Sequence, residues 1–125
     1  MNRKILVTGA AGKVGQNFIE HFKADKKFEG DTVVGFCHNR LIKEEKNISV
    51  FQGNIAEKES VAKAMQGITH VIHLATCKES PDIIIDITVK GLFWLLEEAR
   101  QSKTLQQFIL LGGDAAIGHC VYPYD

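Results

Sequence analysis

The chain has 125 residues, 45% apolar and 24% charged, enough for one soluble domain but not for a cofactor domain plus a separate substrate domain. Fifteen basic and fifteen acidic side chains cancel, which argues against nucleic acid or an anionic membrane as a partner. No apolar run approaches the roughly 18 residues of a membrane span, and the start, Met1-Asn2-Arg3-Lys4, lacks the long apolar core of a secretory signal.

Three widely spaced cysteines, Cys37, Cys77 and Cys120, form no CxxC and no zinc-like pair, so the expectation is a cytoplasmic protein with free thiols. In chain order the pattern reads strand, helix, strand, short helix, strand, helix, strand, long helix, strand. Lys4–Thr8 (KILVT) is a short β-rich run before a glycine loop. Lys13–Ala24 carries Val14, Phe18, Ile19 and Phe22 at helical spacing. Residues 23–31 are polar and read as a connection. Thr32–Cys37 (TVVGFC) is a second strand, and residues 48–51 form a third. A helix over 57–65 puts Val61, Ala64 and Met65 on one side and ends at Gly67. Residues 69–75 (THVIHLA) are the fourth strand. Pro81 suits the start of a helix reaching Gln101 or Ser102, and residues 107–111 (QFILL) are the fifth strand.

Short apolar strands alternating with helices imply a parallel sheet covered on both faces and joined by right-handed crossovers. The fold class is α/β, a Rossmann-type doubly wound sheet of about five strands in the order 3-2-1-4-5. Its ligand crevice is expected at the carboxyl ends, between strands 1 and 4.

Gly9, Gly12 and Gly15 give G-x-x-G-x-x-G directly after a strand and at the start of a helix. In that context each glycine has a task. Gly9 turns the chain off the strand, Gly12 lets the backbone approach a pyrophosphate, and Gly15 lets the helix pack closely on the sheet. The amides near Gly12, Lys13 and Val14 then face phosphate at the positive end of the helix dipole. No Gly-Lys-Ser/Thr follows, which excludes a P-loop.

With this loop, the chain resembles the extended short-chain dehydrogenase/reductase family, the NAD(P)-dependent sugar epimerases and dehydratases. Thr8-Gly9-x-x-Gly12-x-x-Gly15 is similar to that family's loop. Val71-Ile72-His73-Leu74-Ala75 is similar to its fourth strand, the segment Val89 to Ala99 (VKGLFWLLEEA) to its following helix, and Gln107 to Gly118 (QFILLGGDAAIG) to its fifth strand and catalytic turn. The resemblance covers essentially the whole chain but only about half or less of a typical member. It implies pyrophosphate contacts at Gly9, Gly12, Lys13 and Val14, and adenine contacts at Asn54 and Ile55, where Asn54 replaces an Asp. It further implies nicotinamide-ribose contacts at Leu74, Ala75 and Thr76, a cofactor lysine at Lys78, and Thr88 in place of an Asn. The parent activity it implies is that of an oxidoreductase, with a nucleotide sugar as the substrate class.

The end of strand 2 chooses between cofactors. An acidic residue there bonds the ribose hydroxyls of NAD, whereas a basic one accommodates the 2′-phosphate of NADP. Here Cys37 stands at the acidic position, followed by His38, Asn39 and Arg40. Arg40 offers a bidentate phosphate grip, so NADP is favoured over NAD.

The family's Tyr-x-x-x-Lys pair and its serine are missing. The serine position falls on Gly113, neither Tyr122 nor Tyr124 has a lysine four residues on, and the helix carrying the pair would begin beyond Asp125. Two readings stay open: part of a longer epimerase/dehydratase or reductase, inactive as it stands, or a non-catalytic dinucleotide-binding module or sensor. His70 and His73, three apart on a strand, face opposite sides and make a poor metal pair. Asp82, Asp86, Glu97 and Glu98 read as a solvated face, and His119-Cys120 as an unsuitable thiolate pair. Ile83, Ile84, Ile85, Ile87, Val89, Leu92, Phe93, Leu95 and Leu96 place apolar groups around more of the fourth helix than one sheet-facing stripe needs, and strand 5 is expected to be an open edge, so a homo-oligomer is expected through this helix or through that edge.

Overall fold

A computed structural model describes residues 2–75 and 82–112. Its elements run β1 (Lys4–Thr8), α1 (Lys13–Ala24), a 3-10 turn (Lys26–Phe28), β2 (Thr32–Cys37), β3 (Ile48–Gln52), α2 (Lys58–Ala64), β4 (His70–His73), a π-helical turn (Ile85–Lys90), α3 (Gly91–Gln101) and β5 (Gln107–Leu110). The five strands form one sheet in the order β3-β2-β1-β4-β5, and every pairing is parallel. The doubly wound α/β order expected from the sequence is therefore the order found.

The side-chain alternation of β1 divides the core. Leu6 lies in one cluster with Phe36, Val61, Met65, Ile68, Val71 and Leu95, under α2 and α3. Ile5 and Val7 lie in the other with Ile19, Phe22 and Val33, under α1. Leu6 pairs with Val71, which pairs with Phe108, so one row of the α2/α3 face crosses three strands. Burial on both faces explains why β1 is apolar along nearly its whole length.

The amino end of the sheet is closed by an ion pair. Asp31 is fully buried. Its carboxylate accepts from the Arg3 backbone amide and from Arg3 Nε, each at 2.8 Å, with Arg3 Nη2 at 2.7 Å. The guanidinium also lies over the Phe28 ring, 5.4 Å from its centroid. Burial pushes the Asp31 carboxyl up, but the hydrogen bonds and charge of Arg3 outweigh it and hold the carboxyl below its ordinary value.

Two expectations need correction. The short helix between the second and third strands is absent. Residues 38–47 cross between the strands as irregular chain and close with an antiparallel bridge between Glu45 and Ile48, with Asn47 left-handed at φ 65°. Ile42 is the anchor: it packs on the glycine gap in β2, where a Cβ on Gly35 would come within 2.5 Å of Ile42 Cδ1. The long fourth helix is also not α-helical throughout, because Ile85–Lys90 widens into a π turn before α3. Its expected start at Pro81 lies outside the described residues.

Candidate functional site

The carboxyl end of β1 runs into the turn that starts the site. Gly9 is left-handed at φ +67°, and a Cβ there would stand 2.8 Å from the Leu74 carbonyl carbon and 2.9 Å from the Ala75 nitrogen. Only glycine lets the loop after β1 lie directly on the chain leaving β4. Gly15 is held as tightly. Its Cβ would meet Gly9 O at 2.5 Å and Ala10 Cα at 2.7 Å, so its close packing is against the loop. The Gly12 amide donates to Gly9 O at 3.0 Å, folding the loop back on itself. Gly12 then caps α1 with no side-chain hydrogen bond. The first α1 amides, Lys13 and Val14, are left to face outward, since the first turn of a helix has no partners of its own.

Thr8 ties the two halves together. Its Oγ1 accepts from the Leu74 amide at 3.0 Å and from the Ala75 amide at 3.1 Å, and it lies 2.7 Å from His73 Nδ1. A hydroxyl has two lone pairs and one hydrogen. The two amides fill the lone pairs, so the hydroxyl donates to Nδ1 and the imidazole carries its proton on Nε2. His73 is buried, and burial pushes its imidazole below the ordinary histidine value, in keeping with a neutral ring.

These constraints leave a cleft of about 380 Å³ at the carboxyl ends of β1, β2 and β4. Gly9 and Gly12 form one wall. Cys37, His38, Asn39 and Arg40 form another, Asn54 and Ile55 a third, and Leu74 and Ala75 the floor, with Ala10, Ala11, Phe36 and Ile87 completing the lining. Cys37 is buried, whereas His38, Asn39 and Arg40 are exposed. Arg40 Nη2 donates to Ala11 O at 2.8 Å across the mouth, and among the described residues no carboxylate comes within 4.0 Å of its guanidinium. Asn54 Oδ1 accepts from the Ala56 amide at 2.9 Å, which fixes the side chain in a turn. Ile55 is shared with the core under α2 and α3.

Lys13, Val14 and Gly15 do not line the cleft; they form the first turn of α1 behind the loop. Thr88 does not line it either, and within the π turn it is Ile87 that faces the cleft. Thr76, Lys78 and Gly113 lie outside the described residues. His70 and His73 stand on opposite faces, His70 bonded to Thr69 and His73 to Thr8. Among the described residues there is no cluster of three metal-ligating side chains, and no helix is long and apolar enough to cross a membrane.

A family model described as the NAD dependent epimerase/dehydratase family matches residues 5–124. The chain belongs to that family. Among its relatives, a bifunctional dihydroflavonol 4-reductase/flavanone 4-reductase from Malus domestica is 24% identical over 120 residues, covering 86% of this chain and 34% of the relative. Among solved structures, a dTDP-glucose 4,6-dehydratase from Bacillus anthracis in complex with NAD superposes with a TM-score of 0.81 at 20% identity, over 98% of this chain and 41% of that one. A mutant uronate dehydrogenase from Agrobacterium tumefaciens complexed with NAD gives 0.78 at 21% identity, over 90% and 42%. These likenesses show a shared fold, and the chain spans about a third to two fifths of the proteins it matches.

Within this epimerase/dehydratase family member, reading the sequence missed two features of the site. Thr8 was visible only as the end of a strand and the first letter of a loop; its position immediately before Gly9, with a histidine on the neighbouring strand, was the available signal. Gln16, whose Nε2 donates to Ala11 O at 2.6 Å, had no sequence signal at all.

Proposed function

We propose that the cleft binds a nicotinamide dinucleotide, with NADP preferred to NAD. We further propose that the chain is the nucleotide-binding part of a longer epimerase/dehydratase or reductase acting on a substrate of the nucleotide-sugar class. The carrying observation is Arg40, a cation just past the end of β2 with no carboxylate beside it among the described residues, facing a cleft whose β2 side is Cys37 rather than an acid. The residues present fit the cofactor. The Gly9–Gly12 turn brings backbone close to a pyrophosphate, and α1 has no side-chain cap to compete with it. Lys13 and Val14 supply their amides there, and Gly15 keeps α1 on the loop. Asn54, its oxygen already engaged, presents its NH₂ group to the adenine, and Ile55 supports the ring. Leu74 and Ala75 run along the nicotinamide ribose, Thr76 and Lys78 are assigned further contacts with the cofactor, and Thr88 stands behind the cleft. When bound, the nicotinamide would exchange a hydride at C4 with a secondary alcohol of the substrate. The chain's own residues bind and orient it. Thr8 fixes the floor, and Arg40 holds the 2′-phosphate through a charge-assisted hydrogen bond.

The likenesses to NAD-complexed enzymes support the dinucleotide, and the small share of each relative that is matched supports a longer parent. Apolar residues at helical spacing, Ile85, Val89, Phe93 and Leu96, are all exposed and support association with a second copy of the chain.

Titration of the chain with NADPH and NADH, followed by nucleotide fluorescence or calorimetry, tests the reading. Arg40→Ala is expected to weaken NADPH about tenfold and to leave NADH unchanged. Equal weakening of both would overturn the role of Arg40, and binding of neither by the unsubstituted chain would overturn the cofactor reading.

A further inference from the structure

Gln16 sits in the first turns of α1, where its backbone amide bonds Gly12 O at 2.9 Å. Its side chain doubles back on the loop, and Nε2 donates to Ala11 O at 2.6 Å. Arg40 Nη2 reaches the same oxygen at 2.8 Å from the 38–47 loop. A carbonyl oxygen has two lone pairs, and these two side chains take both. Their nitrogens can be no farther apart than the two bonds laid end to end. Ala11 and Arg40 also form the partition between the cleft and a second groove of about 540 Å³, which runs between α1 and the 38–47 loop past Gln16 and Lys43. The acids that border this groove, Glu20 and Glu45, are both bound by Lys23, at 2.8 and 3.2 Å. The local negative charge is thereby spent away from Arg40.

We propose that Gln16 is a positioning residue that sets the selectivity of the site for a dinucleotide carrying a phosphate on its adenosine ribose. The inference rests on the reading of Arg40 given above. Gln16 holds the Ala11 carbonyl, and that carbonyl holds one N–H of the guanidinium, which aims the other N–H groups of Arg40 into the cleft mouth. Gln16 itself lines the second groove and not the cleft, so it acts through Ala11 and Arg40. A carboxamide supplies this without adding charge. A carboxylate at the same place would draw Arg40 into an ion pair and repel a phosphate.

The test compares NADPH with NADH on the full chain, with adenosine 2′,5′-bisphosphate against adenosine 5′-monophosphate as probes of the ribose phosphate alone. Gln16→Ala is expected to lower the NADPH-to-NADH affinity ratio about three- to tenfold with NADH unchanged. Gln16→Glu is expected to lower the ratio further and to do the same for the two probes. The position is exposed on a helix and alanine is the strongest helix former, so folding is expected to survive, as checked by the thermal melt. Loss of NADPH and NADH affinity by the same factor would show that Gln16 only shapes the loop, and would overturn the inference. If Arg40→Ala moves the ratio and both Gln16 variants leave it alone, the inference falls and the reading of Arg40 stands. If Arg40→Ala also leaves the ratio alone, or if the chain binds neither dinucleotide, both fall.

Discussion

Thr8 and His73 face each other across the β1–β4 pairing, hydroxyl to imidazole at 2.7 Å, and the same hydroxyl receives two backbone amides from the chain leaving β4. One oxygen thus satisfies three polar groups at the floor of the cleft.

Thr8→Val keeps the shape and the β preference of the side chain but strands those partners. Each unsatisfied buried donor costs about 1–3 kcal/mol, and the Leu74 amide keeps its second acceptor, Thr8 O, at 3.2 Å. The expected loss is therefore about 2 kcal/mol in denaturant unfolding, accompanied by weaker dinucleotide binding. Thr8→Ser retains the hydroxyl and is expected to lose less on both counts. A valine variant as stable as the parent would show that the network is dispensable.

Acid should destabilise the chain in two separate windows. Burial depresses the His73 pKa in the folded state, so below the ordinary value of 6.5 the unfolded chain binds more protons than the folded one. The contribution of His73 is complete above that value and declines as the pH falls through the folded pKa. Asp31 is also depressed, despite its burial, by Arg3. Its contribution is complete above the ordinary value of 3.8 and is lost further into acid. Unfolding curves from pH 8 to pH 3 should show both declines. His73→Gln is expected to remove the upper one. Asp31→Asn is expected to remove the lower one and to cost about 2–3 kcal/mol at neutral pH, with dinucleotide affinity unchanged, because the pair lies at the opposite end of the sheet.

The glycines of the loop should separate into two kinds. Gly9→Ala places a Cβ 2.8 Å from backbone in a left-handed conformation, so more than about 2 kcal/mol of stability should be lost along with binding. At Gly12 the nearest atom to a new Cβ is Gly9 O at 3.3 Å, so substitution there is expected to be mild for stability. Gly12→Asp should nevertheless abolish binding by setting a carboxylate against the phosphates. Denaturation and titration of the two variants side by side check the contrast.

Self-association should depend on the exposed side of the helical segment. Phe93 and Leu96 on α3 are about half exposed, and Phe93 meets Trp94 edge-on with centroids 5.2 Å apart. Phe93→Lys is expected to shift the chain towards monomer in sedimentation at micromolar concentration. A parent chain already monomeric under those conditions would refute association through this face.

The sheet was legible because its strands are short, apolar and punctuated by glycine, as Lys4–Thr8 and Thr32–Cys37 illustrate. The cleft walls followed from where a glycine loop and the ends of those strands must meet. What the sequence hid depends on contacts between distant residues. Ile42 folds the 38–47 loop onto the gap at Gly35, so a segment expected to contain a short helix carries Arg40 to Ala11 without one. The π turn that places Ile87 rather than Thr88 on the cleft changes the helical register by a fraction of a turn, below what apolar spacing in the Ile-rich stretch can resolve. Thr8 acts through partners 65 to 67 positions away, and no local pattern announces them.

That separation has a kinetic consequence. The loop after β1 is complete within the first 15 residues, yet its floor arrives only with β4, after the chain has closed a long parallel crossover that includes β2, β3 and α2. Parallel pairings of this span form slowly, because the entropy of closure is spent before the contacts repay it. A chain emerging from synthesis therefore carries its glycine turn early and exposed, and acquires the cleft around it only when its central sheet has formed.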